Sequence, residues 1–242
     1  MNQSNTPVSS VIAQLPNLLT LINLLCGCFA IVCIFNNQLY MVPYLVMVAA
    51  AVDFADGFVA RALKVSSPLG VQLDSLADMV TFGVVPGMVI FELLRSIYGN
   101  TDTMPYTAPA FLITLFSALR LAKFNIDTRQ TNGFLGLPTP SSTMFVVSLV
   151  LILSNDKYGL SFYILQPATL YAITVILSFL LISEIPMFAL KIKSTDWESN
   201  KVQVLFVGYS LALLATFGGL GVALIVFSYI LLSVVQWLVN KV

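Results

Sequence analysis

What this sequence can fold into is limited first by its apolar runs. Eight segments, at residues 16–35, 41–63, 70–98, 108–125, 139–154, 166–190, 202–217 and 220–239, are dominated by apolar side chains. A helix needs about 20 residues to cross the hydrocarbon of a bilayer, within a range of roughly 17–25. The fifth and seventh segments sit at the short end. Gly218 and Gly219 divide the last stretch, which reads as two crossings or as a re-entrant pair. Hydrophobic residues make up 58% of the 242 and charged residues 9%, where a soluble domain carries about 25% charge. So little polar surface cannot cover a water-soluble fold. The expectation is an all-α integral membrane protein with eight transmembrane helices.

The cations test that count. The side holding the loops after the second, fourth and sixth segments, with the C-terminus, has Arg61, Lys64, Arg120, Lys123, Arg129, Lys191, Lys193, Lys201 and Lys241. The other side has only Arg95 and Lys157. By the positive-inside rule both termini are cytoplasmic. Residues 1–14 lack Lys and Arg, so they are no secretory signal, and a short interfacial helix is expected there. The chain has no histidine, which excludes histidine-based triads and His-ligated metals. Eleven basic residues balance eleven acidic ones, so nothing suggests nucleic acid as a partner. Cys26, Cys28 and Cys33 share one apolar run and read as small buried hydrophobes.

The informative stretch is Asp53-Phe54-Ala55-Asp56-Gly57-Phe58-Val59-Ala60-Arg61, then eight residues, then Gly70-Val71-Gln72-Leu73-Asp74-Ser75-Leu76-Ala77-Asp78. Asp53, Asp56, Gly57 and Ala60 fall within an arc of about 100° on one helix face. Gly70, Asp74 and Asp78 also share a face. Two neighbouring helices thus present two carboxylates each. An ionised Asp in a membrane helix costs roughly 2.5–3.5 kcal/mol on insertion scales, and four together repel one another. Cations resolve both problems, and oxygen-only ligands suit Mg²⁺, Mn²⁺ or Ca²⁺. The small residues Gly57, Ala60 and Gly70 serve either close helix packing or close approach of a ligand.

These residues, as Asp-x2-Asp-Gly-x2-Ala-Arg-x8-Gly-x3-Asp-x3-Asp, match at every position the signature of the CDP-alcohol phosphatidyltransferase family, which this chain resembles. Leu15-Pro16-Asn17-Leu18-Leu19-Thr20-Leu21-Ile22-Asn23, Arg120-Leu121-Ala122-Lys123-Phe124-Asn125, Gly136-Leu137-Pro138-Thr139-Pro140 and Ser183-Glu184-Ile185-Pro186 with Lys191 are similar to its phosphatidylserine synthase branch. The likeness covers residues 15–191, a six-helix catalytic core. Residues 192–242 carry no motif and read as an added transmembrane hairpin.

The resemblance implies an enzyme that moves the phosphatidyl group of CDP-diacylglycerol to the hydroxyl of L-serine, giving phosphatidylserine and CMP. It implies a homodimer with two divalent cations per active site. Asp53, Asp56 and Asp74 are then the principal metal ligands, and Asp78 is the general base, also touching a metal. Gly57, Ala60, Arg61 and Gly70 admit the CDP-lipid, with Asn17 and Thr20 reaching the nucleotide. Arg61 also reads as an interfacial snorkelling cation, and Asn17 and Thr20 as capping residues. Arg120, whose fork fits a carboxylate, is the candidate for binding serine, followed by Lys123 and Asn125; Lys123 also reads as a topogenic charge. Glu92 and Arg95 read as a surface pair, and Pro86 as a kink in the third helix. The bacterial inner membrane, with the site facing the cytoplasm, is the implied location. Two alternatives stay open: another acceptor (glycerol 3-phosphate or inositol phosphate), or a cation transporter using the four carboxylates as an ion path.

Overall fold

Proline marks where the apolar runs become helices. The computed structural model describes residues 14–65, 67–99, 103–127, 134–188 and 197–239. Helix α1 covers Leu15–Phe35 and α2 covers Val42–Leu63. A third, continuous helix changes pitch along its length. Its first part, α3, is Pro68–Asp78; Met79–Val84 is π-helical; α4 is Val85–Tyr98. Short turns over Met104–Thr107 and Ala108–Phe111 lead into α5, Leu112–Ile126. Then follow α6, Thr139–Asn155, and α7, Pro167–Ile182. The last two helices are α8, Trp197–Phe217, and α9, Gly219–Val239. Pro16, Pro43, Pro68, Pro140 and Pro167 all sit in first turns, where a missing N–H leaves no bond unmade; Pro86 instead lies inside the continuous third helix.

Among the described residues the architecture is all-α apart from one two-residue antiparallel pairing, Phe134–Leu135 with Pro186–Met187. Six helical stretches among them are long and apolar enough to cross a membrane: Leu15–Phe35, Leu39–Leu63, Pro68–Tyr98, Met104–Ile126, Asn200–Phe217 and Gly219–Val239. The other two, α6 and α7, have 17 and 16 residues, about 25 Å of helix. The expected seventh segment is therefore longer than its apolar run suggested, and the sixth is shorter. The sixth stops at Ile182 because Ser183 is extended and Pro186 disfavours helix at the residue before it. The freed chain pairs instead with the 134–137 segment: Gly136 N–H donates to Ile185 O at 2.9 Å and Leu137 N–H to Leu180 O at 2.9 Å. The expected interfacial helix at residues 1–14 falls almost wholly outside the described residues, as do Arg129, Lys191, Lys193 and Lys241.

The continuous third helix is the axis of the core. Val85, Val89, Ile90 and Leu94 are fully buried, packed with Ala30, Val42, Val46, Ile113, Val146 and Leu170 from the surrounding helices. On the outside, Leu18, Leu25, Phe29 and Val32 of α1 and Phe54 and Phe58 of α2 are exposed, as a lipid-facing surface permits. Of the cysteines, Cys28 is exposed on that flank, Cys26 is half-buried, Cys33 is half-buried against the core, and all three are free. Lipid makes burial of a small apolar side chain unnecessary. Glu92 and Arg95 form the expected i, i+3 pair, at 2.8 Å.

The irregular turn is fixed by three threonines. Pro86 has no N–H to offer the Phe82 carbonyl four residues back, and Thr143 Oγ1 donates to that oxygen at 2.9 Å. Thr114 Oγ1 donates to Gly83 O at 2.9 Å, and Thr81 Oγ1 to Asn23 O at 3.1 Å. A Cβ on Gly27 would collide with Thr81, and one on Gly87 with Thr114. The expected kink at Pro86 is thus a π-helical turn just ahead of it, clamped to α1, α5 and α6.

The final hairpin docks through α9, which packs on α6. Ser233 Oγ accepts from Phe188 N–H at 3.0 Å, and a Cβ on Gly219 would come within 2.6 Å of Leu151 Cβ. Helix α8 lies outside α9, with most of its surface turned outward.

Gly136 carries a specific demand. Its φ is +77°, and a Cβ there would lie 2.7 Å from the carbonyl oxygens of both Leu181 and Ser183. Gly99 has a similar φ of +73° but open space around it. Gly136→Ala should lower the apparent Tm in detergent by several degrees more than Gly99→Ala, because strain alone costs of order 1–3 kcal/mol and the clash adds to it. Equal losses in a thermal melt would show that the close approach does not matter.

Candidate active site

The two Asp pairs meet because the α2–α3 turn is short and well capped. Lys64 ends α2 in the left-handed conformation, at φ 54°. Ser67 then opens α3, its Oγ accepting from Gly70 N–H at 2.9 Å. The chain reverses, and α3 runs back beside α2. One carboxylate oxygen each from Asp53, Asp56 and Asp74 lies within 4.8 Å of the others. Asp78 is one turn further along α3, within hydrogen-bonding reach of Asp53. Asp56 is buried, and the other three are half-buried.

Helix α1 supplies donors to this cluster. Thr20 Oγ1 donates to Asp56 Oδ2 at 2.6 Å. Asn23 Nδ2 lies 3.2 Å from Asp78 Oδ1 and 3.5 Å from Asp53 Oδ1. Asn17 faces Gly70, where an added Cβ would sit 3.0 Å from Asn17 Oδ1. The Arg61 guanidinium folds back over Gly57, with Nη1 3.3 Å from where a Cβ would be. Ala60 is half-buried on the same helix face. The structure therefore gathers Asn17, Thr20, Gly57, Arg61 and Gly70 around the four carboxylates. Sequence reading passed over Asn23. The signal was present: a polar residue three positions after Thr20, inside a run that is otherwise apolar on both sides.

The residues expected to bind an acceptor are spread over three partners. Arg120 is buried; its Nε donates to Leu137 O at 2.9 Å, and its guanidinium lies 5.7 Å from the Phe124 ring centre. Tyr229 of α9 lies near it. Lys123 Nζ is 3.5 Å from Glu184 Oε1, an exposed pair. Asn125 Nδ2 donates to Ser75 Oγ at 2.8 Å. Since Ser75 sits between Asp74 and Asp78, Asn125 ties the end of α5 directly to the aspartate helix. Arg120 instead anchors the Gly136–Leu137 turn, and Lys123 reaches toward the extended segment after α7. Sequence reading did not select Ser75, Leu137, Glu184 or Tyr229, because their relevance comes from packing between distant segments.

An oxygen-only cluster of this kind suits hard divalent cations, and the cations Arg61 and Lys64 end the helix that carries Asp53 and Asp56. That combination fits an anionic ligand carrying phosphate.

Comparison with known proteins bears on the same residues. The family model described as CDP-alcohol phosphatidyltransferase matches residues 13–182. A CDP-diacylglycerol–serine O-phosphatidyltransferase of Helicobacter pylori (strain ATCC 700392 / 26695) is 29% identical, over 92% of this chain and 90% of its own. The enzyme of that name from Bacillus subtilis (strain 168) is 32% identical, over 61% of this chain and 84% of its own. An archaetidylserine synthase of Methanothermobacter thermautotrophicus is 32% identical, over 60% of each chain. The family match takes in α1 through α7, with all four aspartates and their donors, and the chain belongs to the CDP-alcohol phosphatidyltransferase family.

Proposed function

We propose that this enzyme transfers the phosphatidyl group of CDP-diacylglycerol to L-serine, releasing phosphatidylserine and CMP. The observation that carries the reading is the convergence of Asp53, Asp56, Asp74 and Asp78 from two antiparallel helices, in a chain whose relatives bear the name of that reaction. Family membership sets aside the cation-transporter alternative.

Asp53, Asp56 and Asp74 would hold the divalent cations, Mg²⁺ or Mn²⁺ with Ca²⁺ as a further candidate, two per site. Bound there, they would offset the diphosphate charge and the charge that develops on departing CMP. The protein's own residues do the rest. Gly57, Ala60 and Gly70 present side-chain-poor helix faces to the nucleotide and diphosphate, with Arg61 at a phosphate and Asn17 beside the nucleotide. Thr20 holds Asp56 by donating to it. Asp78 accepts the proton of the serine hydroxyl. The serine oxygen then forms its bond to the phosphorus that carries diacylglycerol, and the bond from that phosphorus to the CMP oxygen breaks. Arg120 binds the serine carboxylate, and Lys123 and Asn125, on the same helix, are the further candidates. Residues 1–191 form the catalytic unit and 192–242 an appended hairpin. The distribution of cations supports a site that faces the cytoplasm, and family habit supports a bacterial inner membrane.

The test is CMP release by purified protein in detergent, from CDP-diacylglycerol with Mg²⁺ or Mn²⁺, across L-serine, glycerol 3-phosphate, inositol phosphate and no acceptor. Release should require serine and metal, stop on chelation, and fall by at least about 10²-fold in Asp78→Asn, the range expected on losing a general base. Release with glycerol 3-phosphate in place of serine would overturn the acceptor; none with any acceptor would overturn the transferase reading.

Arg120→Ala separates binding from scaffolding. If Arg120 binds serine, the KM for serine should rise at least tenfold while that for CDP-diacylglycerol changes less than threefold. If it serves only to hold Leu137 O, both constants should move together and the apparent Tm should drop.

A further inference from the structure

Asn23 lies near the middle of α1 with apolar residues on either side, and it is fully buried. A buried amide is tolerated where its polar atoms have partners. Here the partners are two carboxylates from two different helices: Asp53 Oδ1 on α2 and Asp78 Oδ1 on α3. The Asn23 Oδ1 atom has no hydrogen-bond partner among the described residues. With both carboxylates ionised, the reversed amide would set its oxygen against two groups that only accept.

The backbone of Asn23 is fixed as firmly as its side chain. Its carbonyl accepts from Thr81 Oγ1, in the π-helical turn that begins directly after Asp78. Gly27, one turn further along α1, leaves no room for a Cβ against Thr81. One contact on each side of Asp78 thus holds α1 in register with the start of that turn. Each of the two amide hydrogens has one carboxylate oxygen to occupy, and the second oxygen of each carboxylate stays free of Asn23.

We propose that Asn23 is a positioning residue of the transfer reaction, holding one oxygen of Asp78 at 3.2 Å, with Asp53 only a longer contact at 3.5 Å, so that the other Asp78 oxygen is presented to the acceptor hydroxyl. The proposal rests on the reading of Asp78 as general base given above. Asn23 acts through Asp78 and touches no substrate.

The test uses the full-length protein in detergent, with Asn23→Leu, of similar volume but no donor, and Asn23→Asp, of the same shape with an acceptor in place of the donor. Each is made alone and together with Asp78→Asn. Four quantities are read: kcat for serine-dependent CMP release, both KM values, CDP-diacylglycerol affinity with Mg²⁺ and no serine, and apparent Tm. Partners of this kind typically contribute 10–100-fold, so kcat should fall by about that factor in either single variant. Both KM values and the lipid affinity should stay within threefold. In the Asp78→Asn background the same substitutions should change residual kcat less than threefold, because the group they position is already gone. Wild-type kcat in a folded Asn23 variant would overturn the proposal. So would an undiminished loss in the Asp78→Asn background, or a loss tracking only Tm and lipid affinity, which would mark Asn23 as packing. If Asn23→Leu does not fold, Asn23→Asp decides by the same criteria. Failure of the underlying reading shows separately, as an Asp78→Asn enzyme with wild-type kcat, and would take this proposal with it.

Discussion

Four carboxylates inside a bilayer are the constraint to which the rest of this fold responds. Each would be unfavourable alone, and together they repel. The structure answers with donors placed from a neighbouring helix. Thr20 takes Asp56, and Asn23 spans Asp53 and Asp78. Those bonds require α1 to lie close against both aspartate helices, and Gly27 permits the approach. The three-helix cluster of α1, α2 and α3 is therefore organised around charge, while the α4–α6 side is organised around Val85, Val89, Ile90, Val146 and Ile113.

Between the two halves stands the π-helical turn. Such turns are rare and concentrate at functional sites. This one begins directly after Asp78, and its carbonyls at Phe82 and Gly83 accept from threonine hydroxyls. Thr143 and Thr114 reach it from separate helices. The orientation of the fourth aspartate is thereby tied to the packing of α5 and α6, segments with no carboxylate in the site.

Much of this was legible in the sequence, for physical reasons. The Asp53–Asp78 pattern specified two helix faces, since a period of 3.6 residues leaves no other way to bring those positions together. Other features depended on contacts that no local pattern carries. Asn23 closed a family-like motif in the sequence, but its place at the carboxylates followed only from its neighbours. Arg120 was chosen for its chemistry, but its position beside Leu137 follows from the turn that Gly136 allows. The sixth apolar run read as continuous to residue 190, yet pairing with the 134–137 segment ended its helix at Ile182. The cysteines were assigned to an interior because apolar residues in water seek one; in lipid the outer surface serves equally well.

The two short helices have different relations to the bilayer. Helix α6 has buried residues around its whole circumference, from Thr139 and Ser142 to Leu149 and Ile152, so protein surrounds it and its length need not match the membrane. Helix α7 does turn Val175, Ile176 and Phe179 outward. At 16 residues it falls a few ångströms short of a hydrocarbon layer about 30 Å thick. Phe162 and Tyr163, exposed just before its start, are rings of the kind that settle at the headgroup level. They extend the apolar height of that flank, so hydrophobic mismatch is absorbed on this one side by aromatic residues and local thinning of the bilayer.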